Sequence, residues 1–160
     1  MELVIERATI ADVTEIAKIF DAYRVFYKQR TDLALATEFL TDRINNSESV
    51  IFFARDNTGR YVGFTQLYPS FCSVAAQRTW ILYDLFVAED VRGNGVGTNL
   101  LKRAKEFAEL TFAKEIVLET ARSNVIAQKL YESLGYEKDT EFFSYALEIN
   151  TASPTHSSAS

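Results

Sequence analysis

The sequence has very little of the chemistry that metal centres and thiol or imidazole catalysis require. Its 160 residues include one cysteine, Cys72, and one histidine, His156. A single cysteine excludes a disulfide within the chain, and these two residues cannot supply the ligand set of a zinc site. His156 lies in a tail rich in Ser, Thr and Ala, so a Ser-His or Cys-His pair is not expected. We predict no metal cofactor.

A basic surplus and a long apolar run are also absent. The chain has 17 Lys and Arg against 22 Asp and Glu, a net charge of −5, whereas nucleic-acid domains usually carry a positive surplus. No apolar run approaches the roughly 20 residues of a membrane-spanning helix. The N-terminus, MELVIERATI, lacks the pattern of a signal peptide. We therefore expect a cytoplasmic protein with neither nucleic acid nor membrane as a partner.

What the chain does have is a series of strand and helix patterns along most of its length. Thr9 followed by Asp12 resembles a helix-capping signal, Pro69 and Ser70 should interrupt a strand, and Gly135 should end a helix. The order predicts an α/β fold, with a mixed sheet and helices on both faces. The predicted strands are 3–7, 50–55, 60–68, 79–87, 115–120 and 142–149, and the helices are one after Thr9, 33–45, about 96–112 and 124–134. Residues 150–160 are predicted to be a flexible tail.

A glycine-rich loop joins an apolar strand to an amphipathic helix. Three of the six glycines, Gly93, Gly95 and Gly97, lie in the stretch 92–98. Glycine permits φ > 0 and lets a ligand approach without a Cβ in the way. Backbone N–H groups at a helix start favour an anion, and Arg92 adds a positive charge. The loop predicts a phosphate site, although a tight turn that binds nothing has the same glycines.

The spacing excludes two common phosphate loops. A P-loop requires G-x-x-x-x-G-K-[ST], and no such string occurs. A dinucleotide fingerprint requires G-x-G-x-x-G, but its third glycine position holds Thr98 when counted from Gly93 and Leu100 when counted from Gly95.

The spacing that does occur, R-x-x-G-x-G, resembles the pyrophosphate loop of the GNAT superfamily of N-acetyltransferases. This resemblance implies a single-domain GNAT fold over residues 1–149 that contains a splayed parallel strand pair. It also implies acetyl-CoA as cofactor and favours a homodimer. The residues that it assigns to the cofactor phosphates are Arg92, Gly93, Asn94, Gly95, Val96, Gly97 and Thr98.

A second motif, N-x-x-A-x-x-x-Y-x-x-x-G-[FY], begins at Asn124 and resembles the other hallmark of the same family. The resemblance implies that Asn124 contacts the pantetheine arm of the cofactor. It also implies that Tyr131 lies beside the thioester sulfur and protonates the leaving thiolate, which is reasonable because a thiol has a lower pKa than a phenol. Without the loop, Tyr131 would be interpreted as a packing residue.

The strand before the loop completes the expected cofactor site. In GNAT folds this strand splays from its parallel neighbour, and the pantetheine enters the gap. By position, the resemblance implies that the backbone groups of Leu85, Phe86 and Val87 bind the pantetheine arm.

Asp84 is the single acidic residue in the apolar strand 79–87. An acid there is costly unless it faces a pocket or is paired. A lysine-like amine, with a pKa of about 10.4, must lose a proton before it attacks. Asp84 is thus a candidate catalytic and substrate-binding residue, although a purely structural carboxylate is an equal alternative. Tyr27, one helical turn after Tyr23, is a second candidate for substrate binding because this helix overhangs the acceptor pocket in the family.

The string YDLFVAEDVRGNGVG also resembles the spermidine/spermine and thialysine acetyltransferase branch. In that branch a Glu precedes the Asp and is a proposed base, but Tyr83 occupies the position here. The leading hypothesis is therefore an N-acetyltransferase that acts on a primary amine of a small molecule, such as a polyamine or an amino acid. A protein lysine or N-terminal acetyltransferase and a non-catalytic acyl-CoA-binding module are the alternatives.

Overall fold

The computed structural model describes residues 1–150. Up to residue 133, the strands and helices follow one another in the order that the sequence pattern predicts. The elements are β1 (Leu3–Arg7), α1 (Val13–Phe26), α2 (Leu33–Asn45), β2 (Val50–Asp56), β3 (Tyr61–Cys72), β4 (Gln77–Val87), α3 (Val96–Leu110), β5 (Ile116–Val117) and α4 (Val125–Ser133).

The five strands form one mixed sheet in the order β1-β2-β3-β4-β5. The first four strands pair antiparallel, whereas β4 and β5 pair in parallel. This parallel pairing covers two positions, Trp80 with Ile116 and Ile81 with Val117. The remainder of β4 continues to Val87 beside β3, so the predicted splayed pair and mixed sheet are confirmed.

Helices cover both faces of the sheet, as predicted. Successive residues of a strand point to opposite faces. Phe53 packs in a buried cluster with side chains of α1 and α2, whereas its neighbour Phe52 contacts Phe107 of α3, with ring centroids 5.5 Å apart. The core therefore has two layers, and α1 and α3 lie on opposite sides of β2.

Local signals place several element ends correctly. Thr9 and Asp12 form a reciprocal capping box before α1, with the Thr9 N–H donating to Asp12 Oδ2 at 2.8 Å. Gly135, with φ +93°, follows the last turn of α4, and its N–H donates to Glu132 O at 3.1 Å. Both are signals that the sequence displays because capping depends on neighbours in the chain.

One predicted strand break is wrong. β3 runs through Pro69, which pairs with Trp80 of β4. The pairing of β3 with β2 ends at Leu67, so on that side Pro69 lies at an open edge. Proline lacks an N–H and is tolerated where no ladder bond is required.

Two further predictions at the C-terminal end differ from the structure. The strand expected at 115–120 is reduced to Ile116–Val117. No strand forms at 142–149, where Phe143, Tyr145 and Leu147 are exposed. The residues there have strand-like composition, but β-propensity becomes a strand where a neighbouring ladder is available. Of the predicted tail, residues 151–160, with His156, lie outside the described residues.

The contacts divide the chain into two compact units, one of residues 1–121 and one that begins at Arg122. The first contains the whole sheet with α1, α2 and α3, and the second contains α4. Within residues 1–150, no helix is both long and apolar enough to cross a membrane.

Candidate functional site

The glycine loop lies between the end of β4 and the start of α3. Residues 92–95 are exposed. Gly93 and Gly95 have φ of +84° and +80°, values that disfavour any side chain. A Cβ placed on Gly93 would meet no atom within 4 Å. Protein packing therefore leaves open space above this backbone, where a phosphate could approach it.

The N-terminus of α3 has no side-chain cap. Gly95 is the N-cap residue, and the first helical bond runs from the Asn99 N–H to Gly95 O at 3.0 Å. By contrast, Asp32 caps α2 with its side chain. The N–H groups before that first bond belong to Val96, Gly97 and Thr98. Uncapped donors at a helix start, with the positive end of the helix dipole, favour an anion.

Side-chain bonds hold the loop in this shape. Asn94 donates through Nδ2 to Val91 O at 2.9 Å. Arg60, the residue before β3, donates to Asp90, just before the loop, through two bonds of 2.6 and 2.8 Å. Asn94 is therefore engaged within the loop by its side chain, which leaves its backbone as its contribution to an anion site.

Arg92 is fixed beside the loop rather than extended into solvent. Its Nε donates to Val87 O at 3.0 Å. Its guanidinium carbon lies 5.6 Å from the ring centroid of Phe26 and 5.5 Å from that of Phe86. Aromatic faces attract a cation electrostatically, so these contacts hold the Arg92 charge beside the loop that is predicted to bind the phosphates.

The last residues of β4 are those predicted to bind the pantetheine arm. Leu85, Phe86 and Val87 pair with β3 on one side. On the other side, the parallel pairing with β5 has ended at Ile81. Within the described residues, this edge of β4 is therefore not part of a ladder with β5, as the splayed arrangement requires.

A β-bulge determines where Asp84 points. Gln66 pairs with Asp84 and the next residue of β3, Leu67, pairs with Leu82, so Tyr83 has no opposite residue. Such an extra residue disrupts the alternation of side chains. Trp80, four residues before Asp84, packs on Phe107 of α3 at 5.1 Å. Asp84 instead acts on Tyr23 of α1, so the bulge moves its carboxylate to the α1 face.

The Asp84 carboxyl is 3% exposed. Gln66 Nε2 donates to its Oδ2 at 2.6 Å. Burial raises the pKa of Asp84, while donation from Gln66 and, more weakly, from Tyr23 opposes that rise. A raised pKa favours the protonated form of a buried carboxyl. The catalytic and substrate-binding role of Asp84 stays a prediction.

Two tyrosine side chains, Tyr23 and Tyr68, lie near this carboxyl. Burial raises the pKa of Tyr23 and of Tyr68, and the charge of Asp84 raises both further. Tyr68 contacts Tyr83 at 5.5 Å between ring centroids, and Tyr23 contacts Tyr27 at 5.0 Å. Tyr27 and Tyr83 are exposed. The candidate acceptor site is thus a buried carboxyl among phenol rings, and Tyr27 lies at its outer, solvent-facing side.

Asn124 and Tyr131 belong to the second unit. Asn124 is the N-cap of α4, where its Oδ1 accepts from the Ala127 N–H at 3.2 Å. Tyr131 is buried on α4, and its ring centroid lies 5.7 Å from that of Tyr136. The cap uses Oδ1 of Asn124, so the side-chain NH2 group of Asn124 is the part that suits a pantetheine contact.

Sequence reasoning missed Gln66. It is 0% exposed and touches the carboxyl on which the acceptor site centres. The signal that drew attention to Asp84 applies equally to Gln66, because it is a polar residue inside the predicted strand 60–68. Tyr23 lies one helical turn before Tyr27 in the sequence. Its importance comes from its effect on Asp84, which only the structure shows.

Comparison with known families defines the class of protein. The sequence profile of the Acetyltransferase (GNAT) family matches residues 14–136. This range contains Asp84, the glycine loop and the second motif, which begins at Asn124. The chain belongs to the GNAT family of acetyltransferases, an acyltransferase family that uses acetyl-CoA.

Individual relatives support this membership. The chain is 46% identical over 145 residues to the uncharacterized N-acetyltransferase YhfO of Bacillus subtilis (strain 168), covering 91% of this chain and 97% of the relative. It is similar to the crystal structure of a probable acetyltransferase, with TM-score 0.88, 39% identity, and coverage of 95% and 100%. An aminoglycoside acetyltransferase from an uncultured soil metagenomic sample shares the fold at TM-score 0.77 and 20% identity, with coverage of 91% and 97%.

Proposed function

We propose that this chain transfers an acetyl group from acetyl-CoA to a primary amine of a small molecule, by direct attack in a ternary complex. The observation that carries the proposal is the Asp84 carboxyl, which is 3% exposed and is turned by the Tyr83 bulge toward tyrosines of α1 and β3. A buried carboxylate with tyrosine side chains near it suits a compact cation.

The cofactor site follows from the loop. The backbone N–H groups of residues 93–98 and the Arg92 cation would hold the pyrophosphate, and the backbone of Leu85, Phe86 and Val87 would hold the pantetheine arm. The open space at Gly93 and the uncapped start of α3 fit such a group. Bound acetyl-CoA supplies the activated acetyl carbonyl.

Asp84 accepts a proton from the amine substrate. An amine enters as an ammonium ion, which Asp84 binds by charge, and it must become neutral before its lone pair can attack. The raised pKa of Asp84 brings this carboxyl closer to the pH at which it can relay that proton. Tyr27, at the outer side, would contact the remainder of the acceptor.

We assign the protonation of the departing thiolate to Tyr131, on the basis of its position in the second motif. We expect Tyr131→Phe to lower kcat by about 100-fold or more, the usual contribution of a general acid, while the Kd for coenzyme A stays unchanged. Turnover by thiol release and calorimetry with coenzyme A measure the two quantities. Tyr145→Phe is the control, because Tyr145 is 94% exposed; an unaltered kcat in Tyr131→Phe would remove Tyr131 from this role.

An acceptor screen tests the function as a whole. The protein is mixed with acetyl-CoA and with polyamines, amino acids, aminoglycosides or lysine peptides, and free thiol is followed. Turnover of small amines supports the proposal, whereas turnover of peptides alone would make the protein a peptide acetyltransferase. Coenzyme A binding without any turnover would make it a non-catalytic binding module.

The polyamine branch, homodimer assembly and a cytoplasmic location complete the proposal. Polyamines are included in the screen because the strand and loop resemble that branch, although Tyr83 replaces its Glu. Sedimentation velocity tests the dimer, and cell fractionation tests the location.

A further inference from the structure

Gln66 has a buried acceptor atom that nothing in residues 1–150 satisfies. Its carboxamide is 0% exposed, and Nε2 donates to Asp84 Oδ2 at 2.6 Å. Its Oε1 is buried without a hydrogen-bond partner. Exchanging the amide oxygen and nitrogen would place two acceptors against each other whenever Asp84 is ionised, so the bond to Asp84 fixes the orientation. A buried unpaired acceptor is destabilising, so its presence requires an explanation.

The surroundings of Gln66 indicate which kind of hydrogen-bond donor would pair with Oε1. Oε1 belongs to the same planar amide whose Nε2 contacts Asp84, so this atom lies close to the carboxyl. The exposed Tyr83 is adjacent to Asp84 in the chain and lies at the bulge. The buried pair of Gln66 and Asp84 is therefore close to the surface. Two acceptors side by side, one of them charged, match a nitrogen that has two N–H groups.

We propose that Gln66 determines specificity for primary amines, because its Oε1 accepts the N–H that the product amide retains. The inference rests on the proposed function. After one proton leaves the incoming ammonium for solvent through Asp84, the nitrogen lone pair forms the C–N bond to the thioester carbonyl carbon. The C–S bond breaks and its electron pair leaves on sulfur.

Asp84 and Gln66 each interact with a different hydrogen of the attacking nitrogen. The attacking nitrogen of a primary amine holds two hydrogens. One leaves through Asp84 and is balanced by the proton that the thiolate sulfur takes up. The other stays on the amide nitrogen and donates to Gln66 Oε1. A secondary amine has an alkyl group where this retained hydrogen would be, so it leaves Oε1 unpaired and crowds it. A site built to bond an N–H rejects analogues that lack it.

The test compares matched amines under saturating acetyl-CoA. The probes are benzylamine, hexylamine, 1,4-diaminobutane and the best primary amine from the acceptor screen, each with its N-methyl derivative. We expect kcat/KM of the unaltered protein to favour the primary amine by about 10-fold or more, the effect of one buried hydrogen bond. In Gln66→Met, activity toward the primary amine should fall and the preference should largely disappear.

Two further variants separate specificity from damage to the fold. Gln66→Glu keeps an acceptor oxygen at the same place, so it should retain the preference for primary amines while its pH profile shifts, since two neighbouring carboxyls share a proton. Gln77→Met replaces an exposed glutamine at the start of β4 and should change nothing. The Kd for coenzyme A in each variant reports whether the fold and the cofactor site are intact.

A measurement on the unaltered protein covers the case in which Gln66→Met does not fold. The N-acetyl product of the best amine should inhibit at lower concentration than its N-methyl counterpart, which lacks the amide N–H. Equal inhibition, equal turnover of both amines, or an intact preference in folded Gln66→Met would overturn the inference alone. If no amine is turned over while coenzyme A binds, the proposed function itself fails and this inference falls with it.

Discussion

A buried carboxyl on a β-strand costs folding free energy, and Asp84 is such a group. Its pKa is raised because burial disfavours the charged form more than the donors Gln66 and Tyr23 favour it. The folded state therefore holds the proton more tightly than the unfolded chain. The stability that this proton supplies is present below the unfolded pKa of about 3.9 and is lost as the pH rises through the folded pKa.

We expect Asp84→Asn to gain stability relative to the unaltered protein as the pH rises from 4.5 to 7.5, because the variant has no charge to bury. The difference in Tm should widen by about 2 °C or more, since 1 kcal/mol moves Tm by about 2–4 °C at this chain length. Thermal unfolding at the two pH values measures it, and activity should be lost.

Asp90→Asn is the control of opposite sign. The bond from Arg60 lowers the pKa of Asp90, so its stabilising contribution is present above the unfolded pKa and is lost as the pH falls. The Asp90→Asn variant should therefore lose stability relative to the unaltered protein as the pH rises to about 4.5, and its difference in Tm should stay nearly constant from pH 4.5 to 7.5. Parallel behaviour of the two variants would contradict the raised pKa of Asp84.

Tyr23 also acts on Asp84, and its removal should appear in the pH dependence of activity. Donation from Tyr23 lowers the pKa of Asp84, so Tyr23→Phe should raise that pKa and move the acidic limb of kcat/KM to higher pH. Tyr61→Phe, which loses a 2.7 Å bond to Asp12, is the control. An unmoved limb in Tyr23→Phe would show that Asp84 is not the group that titrates.

At the scale of elements, the start of α3 and its loop form one unit of function. Val96 is buried and anchors the helix in the core, while the residues just before it remain exposed. This arrangement fixes the backbone donors in place without covering them. An anion site therefore depends on the backbone path through Gly93 and Gly95 more than on any one side chain.

We expect Gly95→Ala to weaken coenzyme A binding by about 10-fold or more, as measured by calorimetry. Alanine at φ +80° is strained by about 1–2 kcal/mol, and relaxation of the loop would turn the N–H groups away. The added Cβ meets only Asn99 Nδ2, at 3.9 Å, so the fold should persist.

The matched control for this substitution is Gly59→Ala. Gly59 has φ +87° and open space around it, but it lies in the turn between β2 and β3. Both variants should lose a similar amount of Tm, whereas Gly95→Ala alone should lose affinity. Equal Kd values in the two variants would show that the loop is not the phosphate site.

At the scale of the whole molecule, patterns that depend on near neighbours were predictable and those that depend on distant partners were not. The capping box at Thr9 and the helix stop at Gly135 follow from residues within four positions. By contrast, β3 passes through Pro69 because β2 has ended beside it, and the residues at 142–149 form no strand. In both cases the pairing partner decides, and the local sequence does not specify it.

The sequence by itself determined the family, the glycine loop and the candidate residues Asp84 and Tyr131, because these are carried by residue types at fixed spacing. The tertiary structure alone decided that Asp84 faces α1 and that Gln66 lies against it. Regular alternation would place Asp84 on the same face as Trp80. The extra residue at Tyr83 reverses that face, and a bulge arises from the register between two strands, which no single segment of the chain encodes.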